Sequence, residues 1–398
     1  MMVWTLARFL TASRWAKDES LSVIRRSEEG PRVEVNTVAI DLAKNVFAVC
    51  GADAAGRIVW RQQLRRAQLL GFMRKIPPCL IGMEACGGAH YWARQLVSLG
   101  HQVRLVSPAL VTPYRKGNKT DRNDAEAILE AVTRPSMRFV AIKSLAQQDL
   151  LALHRVRSQL MKSRTALCNQ LRGLLRERGV AVRAGATALK RALPAILAEE
   201  NMEISGEVRA LLIEMGEWLR TLELRIASCD EKLARQFKTD ERCKRLAQVP
   251  GVGPLAATAL VAAVGNAHEF RNGRELSAFL GLVPRQHSSG GKRVLLGITK
   301  RGDRYLRTLL IHGARASLRW SVSKTDPYSR WATRISIERG PNVAAVAMAN
   351  KNARILWALL NRGDRYRLDG PTQRAALRPG SQPAVERARA AKLRLAQG

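Results

Sequence analysis

Apolar, β-branched runs and amphipathic stretches alternate along residues 35–140. Residues 37–49 (TVAIDLAKNVFAV) read as a strand with one acid, Asp41, set in its middle. A turn over 52–56 and a second strand over 57–63 that pairs back follow. Then comes a short helix over 64–74, ended by Pro77 and Pro78. Residues 80–83 read as a short buried strand and 89–99 as a helix closed by Gly100. Residues 102–106 form another strand, stopped by Pro108. A polar loop over 116–123 leads to a helix over 124–133, ended before Pro135. Strands alternating with helices imply a mixed sheet covered by helices, an α/β domain.

From residue 145 to 238 the period lengthens. Val208, Leu212, Met215, Leu219, Leu222, Ile226, Cys229 and Leu233 repeat with the four-three spacing of a coiled-coil seam. Leu153, Val156, Leu160, Leu167, Leu171 and Leu174 give an upstream helix a similar stripe, with residues 179–185 and Pro194 interrupting the two. An intramolecular helical hairpin and an oligomerisation arm both fit this pattern. Residues 245–365 read as a second, largely helical unit. Its opening turn, Pro250-Gly251-Val252-Gly253, resembles a helix–hairpin–helix, where Gly251 and Gly253 would let backbone N–H groups approach a phosphate. The expected organisation is therefore α/β plus all-α. A weakly ordered extension (1–34) precedes the mixed-sheet domain (35–140), a helical coiled-coil arm (141–240) and a helical C-terminal domain (241–365). A flexible basic tail (366–398) ends the chain.

Composition sharpens this. A chain of 398 residues, 46% hydrophobic, has room for two or three cored domains, and no apolar run is long enough to span a bilayer. Its six cysteines include no CxxC pair, which argues for reduced thiols in a cytoplasmic protein and against a zinc site. Lys and Arg number 67 against 33 acids, a formal net charge of +34. Such a surplus repels itself unless a polyanion neutralises it, so nucleic acid is the expected partner.

Two groups of residues carry candidate chemistry. Asp41, Glu84 after the 80–83 strand, and Asp121 and Asp124, three apart on one helix face, form an oxygen-only set suited to Mg²⁺ or Mn²⁺. In that order they have the arrangement of an RNase H-like nuclease, whose metal ions would clamp a phosphoryl transfer. Glu126 and Glu130 follow on the same helix and read as exposed. In the other group, Ser288 and Ser289 precede Gly290-Gly291. Arg285, Lys292, Arg293, Lys300, Arg301 and Arg304 surround them. A serine attacks phosphorus only if its oxygen is activated and the developing charge is stabilised, and the cations would supply the second need. The stretch HSSGGKR equally fits a plain phosphate-binding turn.

Five motifs in order, VAIDLAKNVF, IGMEACGGAHYWARQL, VSPALVTPYRKGNKTDRNDAEAI, VPGVGPLAATALVAAVG and PRQHSSGGKRVLLGITKRGDRYLRTLLIHGARA, extend the picture. Together they resemble the DEDD transposases of bacterial insertion sequences (the IS-one-ten family, its IS-eleven-eleven branch nearest). The resemblance runs from about residue 35 to 360. It implies a RuvC-like domain, a coiled-coil arm and a C-terminal transposase domain. Asp41, Glu84, Asp121 and Asp124 would be the metal-binding acids. Ser289 would be the nucleophile that leaves a covalent phosphoserine link to DNA. It also implies a homo-oligomer, dimer or tetramer, in which one subunit's acids complete another's serine site, and a non-coding bridge RNA that pairs with target and donor DNA. The expectation is thus an RNA-guided, Mg²⁺-dependent DNA recombinase. A RuvC-like nuclease using metal-activated water on branched DNA, and a non-catalytic nucleic-acid-binding protein, are the alternatives.

Overall fold

The structure is a computed structural model, and it describes residues 34–118, 120–199, 203–363 and 365–367. The expected extension (1–34) and tail (366–398) lie, but for a residue or two, outside these. The described chain divides into two units between Arg138 and Phe139.

In the first unit the apolar run beginning at Thr37 forms β1 (Thr37–Asp41), buried along its first four residues. Residues 37–49 are not one strand. The polar residues Lys44 and Asn45 are exposed in a turn, and β2 (Val46–Ala52) returns antiparallel, with Asp41 opposite Ala48. Asp41 therefore closes a strand, half-buried, where solvation offsets part of the cost that a mid-strand carboxylate would meet. β3 (Ile58–Arg65) pairs antiparallel with β2. The chain continues through α1 (Leu69–Met73), β4 (Leu80–Glu84), α2 (Ala89–Ser98), β5 (Gln102–Val106), α3 (Pro108–Val111) and α4 (Asp121–Thr133). β4 lies parallel to both β1 and β5. The sheet order within this unit is β3-β2-β1-β4-β5, and the two-residue β6 (Phe139–Val140) opens the second unit. This mixed sheet with a reversed second strand agrees with the RNase H-like expectation.

Helix α4 starts three residues earlier than its apolar pattern indicates. Thr120 caps it, its hydroxyl accepting from the Asn123 N–H, so Asp121 and Asp124 both fall in the first turn. The helix buries Ala125, Ile128, Leu129 and Val132 against β1, β2 and β4. A Cβ on Gly82 of β4 would stand 2.9 Å from Val132 and 3.2 Å from Ile128, so this sheet–helix approach requires glycine.

The second unit comprises α5 (Leu145–Arg176), α6 (Ala186–Ala198), α7 (Gly206–Thr239), α8 (Glu241–Leu246), α9 (Pro254–Val264) and α10 (Gly273–Phe279). A hairpin of β7 (Pro284–Ser289) and β8 (Lys292–Ile298) follows, then α11 (Arg304–Ser321), α12 (Pro327–Arg339) and α13 (Pro341–Arg362). Six of the eight seam residues of α7 are buried. Leu212, Leu219 and Leu222 share one core with Leu167, Leu171 and Leu175 of α5 and Leu189 and Leu193 of α6. The stripe thus packs within its own unit, as the helical-hairpin reading expects. Helices α8 to α13 surround a second core centred on α9, which is buried around most of its circumference. Gly251 has φ +84, and a Cβ there would meet the Gly313 carbonyl oxygen of α11 at 2.5 Å. Its glycine therefore has a packing cause, independent of any phosphate. Gly253 is exposed, with open space where a Cβ would point.

Candidate active-site elements

The acid group is built by strand register. Ile40 pairs with Met83 across β1 and β4, so the next residues, Asp41 and Glu84, end adjacent parallel strands side by side. The carboxyl ends of such strands are where α/β sheets place ligands. Both acids are half-buried. Their joint field reaches the half-buried Cys86: burial raises its thiol pKa most, and the charges of Glu84 and Asp41 push it up further.

The acids of α4 contribute unequally. Asp124 is half-buried and ion-paired with Arg115, Nη1 to Oδ1 at 3.2 Å, whereas Asp121 is exposed. Among the described residues no group of three or more His, Cys, Asp or Glu side chains is drawn together to hold a metal ion. The donor chemistry of Asp41 and Glu84 nonetheless suits a hard divalent cation. Glu126 departs from its expected exposed role. It is half-buried and accepts from Arg61 at 2.8 Å and Arg122 at 3.2 Å beside a cavity of about 290 Å³. Burial alone would raise its pKa, but the two guanidinium hydrogen bonds hold it below the usual range. Glu130 is also half-buried and pairs with Arg134.

The serine group is built differently. All six residues of β7 are exposed. Gly290 (φ +54) and Gly291 (φ +77) form the two-residue turn, both left-handed as such hairpins require. Ser289 stands opposite Lys292 and Ser288 opposite Arg293. Gln286 donates to the Ser288 hydroxyl at 2.8 Å. Strand alternation puts Ser289 on the other face, together with His287. Arg285, Lys292, Lys300, Arg301 and Arg304 are exposed and enter none of the ion pairs among the described residues. Their charge faces water.

The hairpin's base is packed where its tip is exposed. Cβ atoms on Gly281 and Gly302 would clash with the Arg301 and Phe279 carbonyl oxygens at 2.0 and 1.8 Å, so the two loops meet backbone to backbone. The buried Arg307 donates to the carbonyl oxygens of Leu280 (3.1 Å) and Arg301 (3.2 Å). Tyr305, at the start of α11, is tied to His154 of α5. Thr258 donates its hydroxyl to the Pro254 carbonyl at 2.7 Å, so it accepts from His154 Nε2 (3.1 Å), and Nδ1 then accepts from the Tyr305 hydroxyl (3.0 Å). Burial, reinforced by Arg157, lowers the pKa of His154 to about 4, which keeps this tautomer neutral. Arg157 in turn forms an ion pair with Asp230 of α7. Neither this chain of hydrogen bonds nor the Arg115–Asp124 pair was legible in the sequence, because each joins residues whose spacing follows no helix or strand period.

A mixed sheet with Asp41 and Glu84 ending adjacent strands and α4 packed on it is consistent with an RNase H-like DEDD transposase. Residues 38–178 match the family model of DEDD transposases of the IS110 type, described as a transposase, and residues 243–330 match the model described as transposase, IS116/IS110/IS902 family. The chain is 52% identical over 336 residues to a "probable family 20 transposase" of Pseudomonas aeruginosa, covering 84% of this chain and 99% of that one. It is 45% identical over 351 residues to the "transposase for insertion sequence element IS1111A" of Coxiella burnetii (88% and 96% covered). It is 38% identical over 329 residues to the "transposase for insertion sequence element IS1328" of Yersinia enterocolitica (83% and 98% covered). This chain belongs to the IS116/IS110/IS902 family of transposases. No helix among the described residues is long and apolar enough to cross a membrane.

Proposed function

We propose that this protein is the transposase of an insertion sequence, a bridge-RNA-guided recombinase that cuts and rejoins DNA through a serine. The observation that carries this reading is the register that sets Asp41 beside Glu84, in a chain whose second unit offers a hydroxyl at the tip of a cation-flanked hairpin. Asp41, Glu84, Asp121 and Asp124 would hold Mg²⁺ or Mn²⁺, which when bound would supply charge neutralisation at the scissile phosphate. The exposed arginines and lysines around the hairpin orient the strand through its phosphates. Ser289 Oγ attacks phosphorus and gives its proton to solvent, while the scissile P–O bond breaks and the departing oxygen takes the electron pair and a proton from solvent, leaving as a hydroxyl. A freed strand hydroxyl later attacks the phosphoserine and restores Ser289. Phosphodiester energy is conserved in the link, in keeping with a sequence that lacks the GxxxxGK[ST] phosphate loop of nucleotide-driven enzymes. The helical arm serves assembly into a dimer or tetramer, and the PGVGP turn adds a phosphate contact through Gly253. The net charge of +34 supports an RNA partner beside DNA.

The test combines purified protein, RNA transcribed from the element's flank, labelled element-end DNA and Mg²⁺. A denaturant-resistant protein–DNA adduct that disappears in Ser289→Ala is the expected result. In Asp41→Asn, cleavage is lost while nucleic-acid binding stays within about two-fold, since one acid is a small part of a phosphate-driven affinity. Cleavage without an adduct would instead assign water as the nucleophile, and binding with no cleavage under any metal would leave only a binding protein.

A further inference from the structure

Helix α11 carries a feature that neither the acids nor the serine uses. Its apolar side, with Leu306, Leu310, Ala314 and Leu318, is buried, while Arg304, His312, Arg315, Arg319 and Trp320 are exposed. At 3.6 residues per turn, the three arginines and the histidine fall within an arc of about 80°, and Trp320 lies about 80° further round the helix. Arg315 and Arg319 stand one turn apart, about 6 Å along the axis.

The charge of this face is uncompensated. Arg315 donates to the neutral Asn342 side chain at 3.1 Å. Neither it, Arg304 nor Arg319 enters an ion pair among the described residues. The nearest acids in sequence are committed to helix caps: Asp303 accepts from the Leu306 N–H at 3.0 Å and Asp326 from the Ser329 N–H at 2.9 Å. The Trp320 side chain is 71% exposed, more than any other large apolar residue described. Trp218 of α7, 56% exposed, makes the contrast: it has Glu217 beside it and Glu214 one turn before it, and no cationic arc. An indole held in water on the same helix as unpaired guanidiniums suits a polyanion that also presents flat apolar rings.

We propose that this face of α11 binds an unpaired stretch of nucleic acid, with phosphates on Arg315 and Arg319 and a base stacked on Trp320. A duplex keeps its base faces inside its own stack, so the indole meets a ring only where the strand is single. Because α11 begins six residues after β8, the arginine track leads away from the base of the serine hairpin. That the bound strand is the one being exchanged, or its RNA guide, rests on the recombinase reading; the binding itself does not.

The test titrates a short fluorescein-labelled single strand, as DNA and as RNA, and the matching duplex against the full chain over a salt series. Trp320→Ala weakens single-strand binding about ten-fold and duplex binding less than about two-fold, while Trp320→Phe keeps most of the affinity. Substituting alanine for both Arg315 and Arg319 flattens the single-strand salt dependence by about 1.4 in log–log slope, roughly 0.7 per phosphate. The arm that responds more strongly, DNA or RNA, identifies the occupant. Equal losses for duplex and single strand, no loss with Trp320→Ala, or a changed oligomeric state with unchanged binding each overturn the proposal. Loss of Trp320 dependence with the serine adduct intact sinks this inference alone. Intact single-strand binding without any wild-type adduct sinks the recombinase reading alone.

Discussion

Asp41 and Glu84 end strands buried almost throughout, and the two serines lie on a strand with no buried residue at all. The acids inherit their positions from a close-packed sheet and helix, where a displacement would disturb Val132, Ile128 and their neighbours. The serines inherit nothing from a core. A two-stranded hairpin alone is marginal in water, and this one is held from its base, where Arg307, the close backbone approaches of Gly281 to Arg301 and of Gly302 to Phe279, and the Tyr305–His154 tie lie. The acids thus sit on a packed frame, and the serines on an exposed tip.

The largest effect expected is on the tip. Ser289→Ala removes the covalent adduct entirely, whereas Ser288→Ala, whose hydroxyl is already engaged by Gln286, lowers adduct formation less than about ten-fold. Both residues are exposed, so the urea midpoint stays within about 0.5 kcal/mol of wild type. Adduct yields on denaturing gels decide it, and the reverse ranking would move the nucleophile by one position.

The base of the hairpin gives the next effect, through pH. His154 titrates near 6.5 in the unfolded chain and at about 4 in the folded one. As pH falls below 6.5 the unfolded state binds the proton first, so stability declines, and the loss levels off once the pH passes below 4. The full amplitude is about 3 kcal/mol. Denaturation midpoints from pH 7 to 4 should fall in wild type and fall less in His154→Gln by that amount. Identical pH slopes would mean that the histidine is not buried as a neutral base.

Two glycines compare the halves directly. Gly82→Ala forces a Cβ to 2.9 Å from Val132 and costs about 2 kcal/mol by overpacking. Gly290→Ala meets nothing within 4 Å and carries only the strain of φ +54, about 1 kcal/mol. Urea unfolding of the two variants measures the difference, and an equal or reversed order would deny the contrast between packed sheet and open tip.

How much of this was legible beforehand follows the same division. Periodicity located nearly every strand and helix of the first unit, because alternation and capping are local properties. It merged β1 and β2, since the run from Thr37 to Val49 is apolar enough to hide a four-residue turn, and so it buried Asp41 too deeply. The seam of α7 could be read from its spacing, but its partners in α5 and α6 needed packing to decide. The pairing of Asp41 with Glu84 was suggested by order along the chain and given by the register. The engagement of Asp124 by Arg115 and the Gly251–Gly313 contact had no local signal, and the cap at Thr120 was masked by an apolar pattern that begins only at Ala125.

The smallest effect tests whether the hairpin strands are as free as their exposure indicates. Leu295 on β8 is 50% exposed, with Val294 and Leu296 beside it at 39% and 42%. Threonine, being β-branched, suits an exposed strand position, so Leu295→Thr shifts folding stability by no more than about 0.5 kcal/mol. Three neighbouring apolar residues on an uncovered strand are nevertheless more than solvent favours. If the strand is covered only in the assembled complex, Leu295→Thr lowers adduct yield while leaving the unfolding midpoint of the free chain unchanged. A stability loss above about 1 kcal/mol would mean that the hairpin is already packed in the free chain. The tip would then be as preorganised as the sheet, and the division between the two halves would fall.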